Sequence, residues 1–150
     1  MQRRPPSALA GALAAALLGA IAASASSPPP DWNALADVGT IRISAPEADG
    51  TPRERTIWLV VVDGSAYIRA GGTSSWDDAI DTDPDVTVHV NDVAYDLRAT
   101  RIPEGELTER VHRAFREKYG LSDALIGLVR GIGGTPRILR LDPRPGLPMR

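Results

Sequence analysis

Short runs in which apolar and polar residues alternate are the feature that most constrains the fold of this chain. Such runs are typical of β-strands with one buried face. Turn signals separate them, notably Asp63-Gly64 and Asn91-Asp92, which favour tight hairpins. Six segments fit this description: 38–45, 55–64, 65–72, 85–90, 93–102 and 135–144.

Helical patterns interrupt the strands at only two places. "SSWDDAIDTDP" (74–84) fits a short helix, with Ser74 or Ser75 as its N-cap. "PEGELTERVHRAFREKYG" (103–120) is amphipathic and ends at a glycine, and a further helix follows at 121–134. Strands and helices do not alternate, so a doubly wound parallel sheet is not expected. The order predicts a mainly β fold, a six-stranded antiparallel barrel whose closure removes exposed sheet edges.

The N-terminal segment has the layout of a secretory signal peptide. Arg3 and Arg4 precede an Ala/Leu-rich run, and Ala23-Ser24-Ala25 is a small-x-small cleavage site. We therefore expect a leader at 1–25, a proline-rich spacer at 26–36 and a barrel domain at 37–145. This organisation predicts a periplasmic or secreted protein without membrane attachment after cleavage. The alternative is an uncleaved anchor, for which the run is short and rich in alanine.

Charge and composition exclude several classes of function. Loss of Arg3 and Arg4 with the leader changes the formal net charge from −2 to −4, which gives no electrostatic basis for nucleic-acid binding. The chain has no cysteine, so neither disulfides nor thiol chemistry is expected. His89 and His112 lack the spacing of a metal site, and no metal is predicted.

The stretch "YIRAGGTSSWDDAIDTDPDV" (67–86) carries two opposed signals. Arg69 and the Gly/Thr/Ser turn after it have the donors that a phosphate requires. The acids that follow would repel a phosphate, and Asp77 and Asp78 would offset much of the attraction that Arg69 offers. The spacing of Asp81, Asp83 and Asp85 lacks the glycine and glutamate of a calcium loop.

Three segments together resemble a known fold family: "RTIWLVVVDGSAYIRAGGTSSW" (55–76), "AFREKYG" (114–120) and "TPRILRLDPR" (135–144). Their order resembles the split β-barrel of the pyridoxamine 5′-phosphate oxidase-like proteins, which include FMN and F420 binders. The nearest match is a bacterial domain family of unknown function. The resemblance implies an FMN-binding type of split barrel and a homodimer that holds its cofactor across the subunit interface.

The resemblance also implies a set of cofactor-binding positions. The phosphate would lie on the third strand and the following turn, and the aromatic ring would lie beside the neighbouring strand. For the two tryptophans the alternative is packing in the core or in a dimer interface, which we favour for Trp58. The implied positions are Arg55, Thr56, Trp58, Arg69, Thr73, Ser74, Ser75 and Trp76.

The function that we expect is therefore binding of a flavin or deazaflavin nucleotide, FMN or F420, with reductase chemistry supplied by the cofactor ring. No residue is assigned a catalytic role. The acids at 77 and 78 keep a second hypothesis open, in which the protein is a cofactor-less split-barrel module with a binding or structural role.

Overall fold

A computed structural model describes residues 27–71, 76–130 and 135–146, and side chains 123–130 lie outside that description. The elements are β1 (Thr40–Pro46), β2 (Pro52–Val62), β3 (Ser65–Ala70), α1 (Trp76–Thr82), β4 (Asp85–Val90), β5 (Val93–Arg101), α2 (Glu106–Arg130) and β6 (Arg137–Pro143).

The six strands form a closed barrel in the order β1-β2-β3-β6-β5-β4, and every neighbouring pair is antiparallel. Three pairs are hairpins between consecutive strands. Closure requires the non-local pairs β1–β4, with Ile43 opposite Val88, and β3–β6, with Ile68 opposite Leu139. This confirms the mainly β, six-stranded antiparallel barrel predicted from the alternating runs.

Both two-residue hairpin turns have the left-handed backbone that the sequence signals require. Asp63 and Gly64 have φ of 51° and 76°, and Asn91 and Asp92 have φ of 47° and 66°. Positive φ at both turn residues matches the right-handed twist of the flanking strands. The Asp63-Gly64 turn also packs closely, since a Cβ at Gly64 would lie 3.3 Å from the side-chain nitrogen (Nδ2) of Asn33.

Alternation along each strand fills the barrel interior with apolar side chains. Trp32 packs into this core, although the sequence places it in the spacer, and Trp76 and Ile80 bring α1 into it. The principal members of the interior cluster are Ile41, Ile43, Leu59, Ile68, Val86, Val88, Leu97, Leu139 and Leu141.

A second, smaller apolar cluster lies between α2 and the outer face of the barrel. Val111 and Phe115 of α2 are fully buried there against Val60, Tyr67 and Ile138. Helix α2 therefore covers the outer surface of β2, β3 and β6, and this positions the site described below.

The predicted helix end at Gly120 is confirmed. Gly120 has φ of 50° and ψ of −125°, which divides α2 into two helical parts. A side chain in that conformation would be strained, so glycine suits the position. No helix in the described part of the chain is long and apolar enough to span a membrane.

Candidate functional site

The predicted site residues lie on two different faces of the sheet. Trp58 packs with the outer cluster, and Thr56 lies exposed on the same outer face of β2. Arg55 faces inward, because it lies directly opposite the interior residue Ile43. Thr73, Ser74 and Ser75 lie outside the described residues.

Trp58 and Arg69 meet the same two aromatic residues of α2. The ring of Trp58 stacks on Tyr119, with centroids 4.3 Å apart and planes 5° apart. Tyr119 in turn contacts Phe115, at 5.9 Å between centroids. The guanidinium carbon of Arg69 lies 4.1 Å from the centroid of Phe115, within cation–π range. We call Trp58, Tyr119, Phe115 and Arg69 the Arg69 cluster.

Local structure explains why these four side chains meet. Trp58 and Arg69 flank the cross-strand pair Leu59–Ile68, so both point outward at neighbouring positions of β2 and β3. Phe115 and Tyr119 are four residues apart on α2, which places them on one helix face. The result is an aromatic cluster in which Phe115 is fully buried, Trp58 and Tyr119 are partly exposed, and the Arg69 guanidinium lies beside the Phe115 ring.

His112 lies three residues before Phe115 on α2 and responds to the same environment. Burial lowers its pKa below the usual 6.5, and the nearby positive charge of Arg69 lowers it further. The imidazole is therefore held in its neutral form close to the cation of the cluster.

Two neighbouring residues, Lys118 and Tyr119, attach α2 to the barrel at this point, and no sequence pattern predicted this role. The ammonium of Lys118 donates to three carbonyl oxygens, those of Ala36, Val38 and Leu59, at 2.8, 2.6 and 3.0 Å. Burial lowers the pKa of Lys118, and the nearby negative charge of Asp37 acts in the opposite direction. The only available signal was the Lys-Tyr-Gly segment, whose role appears only when α2 meets β2.

Tyr119 completes this attachment through its hydroxyl. It accepts from the backbone nitrogen of Leu59 at 3.1 Å and donates toward the carbonyl oxygens of Leu59 and Gly39. Burial raises the pKa of Tyr119, so the hydroxyl stays protonated and able to donate. The stacking partner of Trp58 is thus held by hydrogen bonds as well as by packing.

Trp76 belongs to the barrel interior and not to the Arg69 cluster. It is 7% exposed and packs with the interior residues. The guanidinium carbon of Arg55 lies 5.3 Å from its ring centroid, and Arg55 also pairs with Glu47. The structure therefore brings Arg55 together with Trp76, and brings Trp58 together with Arg69.

Asp77 is a fully buried carboxylate that two arginines contact. Nη2 of Arg137 donates to its Oδ1 at 2.6 Å, and Nε of Arg137 lies 2.5 Å from its Oδ2. Nη2 of Arg101 lies 3.6 Å from the same Oδ2 and donates to the Asp77 carbonyl at 3.2 Å. A carboxylate can be buried in this way because cations lie beside it.

The neighbouring acids follow the same pattern at the surface. Asp78 accepts from Arg137 at 2.9 Å, and Asp81 binds Arg101 at 3.0 Å. The sequence suggested that Asp77 and Asp78 would act chiefly against Arg69. The structure corrects this interpretation. Arg101 and Arg137 offset the charge of Asp77 and Asp78, and these ion pairs attach α1 to β5 and β6.

A cavity of about 380 Å³ opens on the other side of α1. It is a depression of mixed polar and apolar lining between the β1–β2 loop and α1, and none of its lining residues belongs to the Arg69 cluster. Within the described residues, no three His, Asp or Glu side chains come together as a metal site. The cavity lining consists of Pro46, Glu47, Ala48, Gly50, Asp78, Ala79, Thr82 and Asp83.

The closed barrel and the outer helix α2 define a split β-barrel protein. Three solved structures share the fold. The heme storage protein HutZ of Vibrio cholerae has a TM-score of 0.54 and 15% identity, over 72% of this chain and 83% of that chain. An F420-H2-dependent reductase has a TM-score of 0.54 and 20% identity, over 70% of this chain and 95% of that chain. A putative pyridoxamine 5′-phosphate oxidase of Listeria innocua has a TM-score of 0.54 and 14% identity, over 76% of this chain and 93% of that chain. At these identities the likeness concerns the fold.

The chain belongs to the family described as uncharacterized protein conserved in bacteria (DUF2255), whose model matches residues 31–132. No curated protein matches it by sequence. The family match and the shared split-barrel fold confirm the resemblance drawn from the three sequence segments.

Proposed function

We propose that the protein binds a planar aromatic nucleotide cofactor of the flavin or deazaflavin type, FMN or F420, on the outer face of β2 and β3. The Arg69 cluster is the observation that carries this proposal. It combines the partly exposed rings of Trp58 and Tyr119 with a guanidinium, and Arg69 lies next to the last residue of β3, ahead of the sequence segment with Thr73, Ser74 and Ser75. An aromatic ring needs the first feature and a phosphate needs the second.

The pairing of the acidic run supports the proposal. Asp77, Asp78 and Asp81 bind Arg101 and Arg137, so their charge is largely matched within the α1 corner. A phosphate near Arg69 therefore meets less repulsion than the sequence suggested, because opposite charges a few ångströms apart reduce each other's field at longer range.

In this account the protein supplies binding and orientation, and the cofactor ring supplies reductase chemistry when bound. We further propose a homodimer in an exported compartment after removal of 1–25. The support for the dimer is a solved structure of the same fold that is described as a domain-swapped dimer (TM-score 0.54, 18% identity, 71% of this chain and 81% of that chain).

The direct test is a titration of the full-length protein with FMN and with F420, in which quenching of the cofactor fluorescence measures binding. We expect saturable binding, weakened about tenfold or more in Arg69→Gln, because a charge-assisted contact contributes about 1.5–3 kcal/mol. Arg53→Gln is the matched control, since Arg53 is an exposed arginine of β2 whose ion-pair contact among the described residues is Glu47, at 3.8 Å. Absence of binding up to about 500 μM, an affinity weaker than about 5 kcal/mol, would refute the proposal.

A second candidate function is the cofactor-less split-barrel module. The observation in its favour is that both tryptophans have partners within the chain, Trp58 with Tyr119 and Trp76 with Arg55. The same titration separates the two candidates, since the module binds neither cofactor and the Arg69 substitution then changes nothing.

A further inference from the structure

Arg101 and Arg137 converge on one point in the corner between α1, β5 and β6. Arg101 is the last residue of β5 and Arg137 is the first residue of β6, and both lie on the side of the barrel that α1 covers. The point on which they converge is the Asp77 carboxylate, with contacts of 2.5 and 2.6 Å from Arg137 and 3.6 Å from Arg101.

This arrangement has the chemistry of a small-oxyanion site. A planar guanidinium that presents two nitrogens to two oxygens fits carboxylates and phosphates, and a second guanidinium adds charge. The carboxylate is fully buried, while the side chains of Arg101 and Arg137 are 28% and 30% exposed. The cations therefore reach both the interior and the solvent, and an ion from solution has access to them.

We propose that Arg101 and Arg137 form an oxyanion pocket whose resident anion is Asp77. A small carboxylate or phosphate takes that place once the Asp77 side chain is removed. In the unmodified chain Asp77 keeps external phosphate away from these two arginines, so that a phosphate-bearing ligand is left to Arg69. The pocket itself does not depend on the cofactor proposal.

The test is chemical rescue of Asp77→Ala in the full-length protein. The substitution leaves two arginines facing a cavity, and we expect the melting temperature to fall by about 10 °C, as for loss of one partner of a buried ion pair. Formate fits the space that the carboxylate vacated. At ten times its dissociation constant it raises the folding equilibrium constant about elevenfold. We expect formate, in a titration at constant ionic strength, to restore at least half of the lost melting temperature, and inorganic phosphate to act in the same direction.

Three controls distinguish a pocket from a general salt effect. Formamide, which has the shape of formate without its charge, should not rescue. Asp78→Ala removes an acid that binds the same Arg137 but is 64% exposed, and formate should leave its melting temperature unchanged. Asp77→Ala combined with Arg137→Met should lose the rescue, because the cation that holds the anion is gone.

Saturable, anion-specific rescue of Asp77→Ala alone supports the pocket. Equal effects of formate on Asp77→Ala, Asp78→Ala and the unmodified protein would overturn it, as would rescue by formamide. If Asp77→Ala is unfolded in chloride, the readout becomes folding on addition of formate, measured by far-UV circular dichroism, and failure to fold overturns the proposal. These outcomes are independent of whether FMN or F420 binds.

Discussion

Arg137 contacts the buried carboxylate of Asp77 through two nitrogens, although 60 residues separate the two in the chain. The pair joins the first turn of α1 to the start of β6. It explains why the acids that follow the Gly/Thr/Ser segment need not determine the charge around that segment, since arginines pair with them. The acids serve to attach α1 to the barrel.

Arg137→Met should therefore be among the more destabilising substitutions of a partly exposed side chain. It removes the guanidinium that lies closest to the buried Asp77 carboxylate among the contacts described, with Arg101 remaining at 3.6 Å, and we expect the free energy of unfolding to fall by about 3 kcal/mol. The control is Arg42→Met, which breaks a half-exposed pair with Glu54 and should cost less than about 1 kcal/mol. Urea unfolding measures both, and equal losses would contradict the assignment.

Tyr119→Phe should show what the hydroxyl of Tyr119 contributes to stability, separately from the ring. The variant loses the hydrogen bonds to Leu59 and Gly39 but keeps the stack on Trp58, and we expect a cost of about 1–2 kcal/mol. Tyr119→Leu should cost more and should also alter the near-UV circular dichroism of Trp58, because the stacking ring is gone. Identical near-UV spectra for the two variants would show that the stack does not fix Trp58.

Lys118→Met should loosen α2 from the N-terminal turn. It keeps an apolar stem but removes the Lys118 donor from three carbonyl oxygens, of which the Leu59 oxygen keeps the Tyr119 hydroxyl, and we expect a cost of about 2–4 kcal/mol in urea unfolding. Arg110→Met is a matched change on the same helix, since Arg110 binds only the exposed Asp63 among the contacts described, and should cost less than about 1 kcal/mol. A loss for Lys118→Met no larger than this control would contradict the clamp.

His112 should make stability depend on pH below 6.5. Its pKa is lowered in the folded protein, so acidification first protonates the unfolded chain and reduces the free energy of unfolding until the folded-state pKa is reached. Above pH 6.5 the effect is absent, and His112→Gln should lack this component. Burial and Arg69 lower the pKa, whereas Glu109 and Glu104 raise it, so Arg69→Gln should move it part of the way back toward 6.5. An NMR titration of the imidazole checks this, and a pKa of 6.5 or above in the unmodified protein would contradict it.

Local patterns were sufficient to predict the elements of the fold. The alternation of "DVTVHV" gave β4 at Asp85–Val90, and Gly120 was predicted as a helix end because glycine adopts positive φ without strain. Hairpin turns followed from Asp63-Gly64 and Asn91-Asp92 for the same reason. These features depend on neighbours in the chain, which a sequence displays directly.

The site depended on contacts that local patterns do not contain. Asp77 could equally have faced solvent at the start of α1, and its arginine partners lie 24 and 60 residues away. Lys118 reaches carbonyls about 60 and 80 residues away, and backbone acceptors leave no trace in the residue type. Arg69 and Trp58 were selected through the family resemblance, and their shared contact with α2 required the packed structure.

The three tryptophans offer the most direct test of the central claim that the cofactor binds at the Arg69 cluster. Their indole N–H signals report three places: Trp58 on the outer face, Trp76 at the first residue of α1 and Trp32 in the interior with the N-terminal turn. In NMR spectra recorded during addition of FMN or F420, we predict a saturable shift of the Trp58 indole signal and an unchanged Trp32 signal, with the Trp58 shift lost in Arg69→Gln. Saturable shifts confined to Trp76 or Trp32, or no shift of any indole, would contradict the claim.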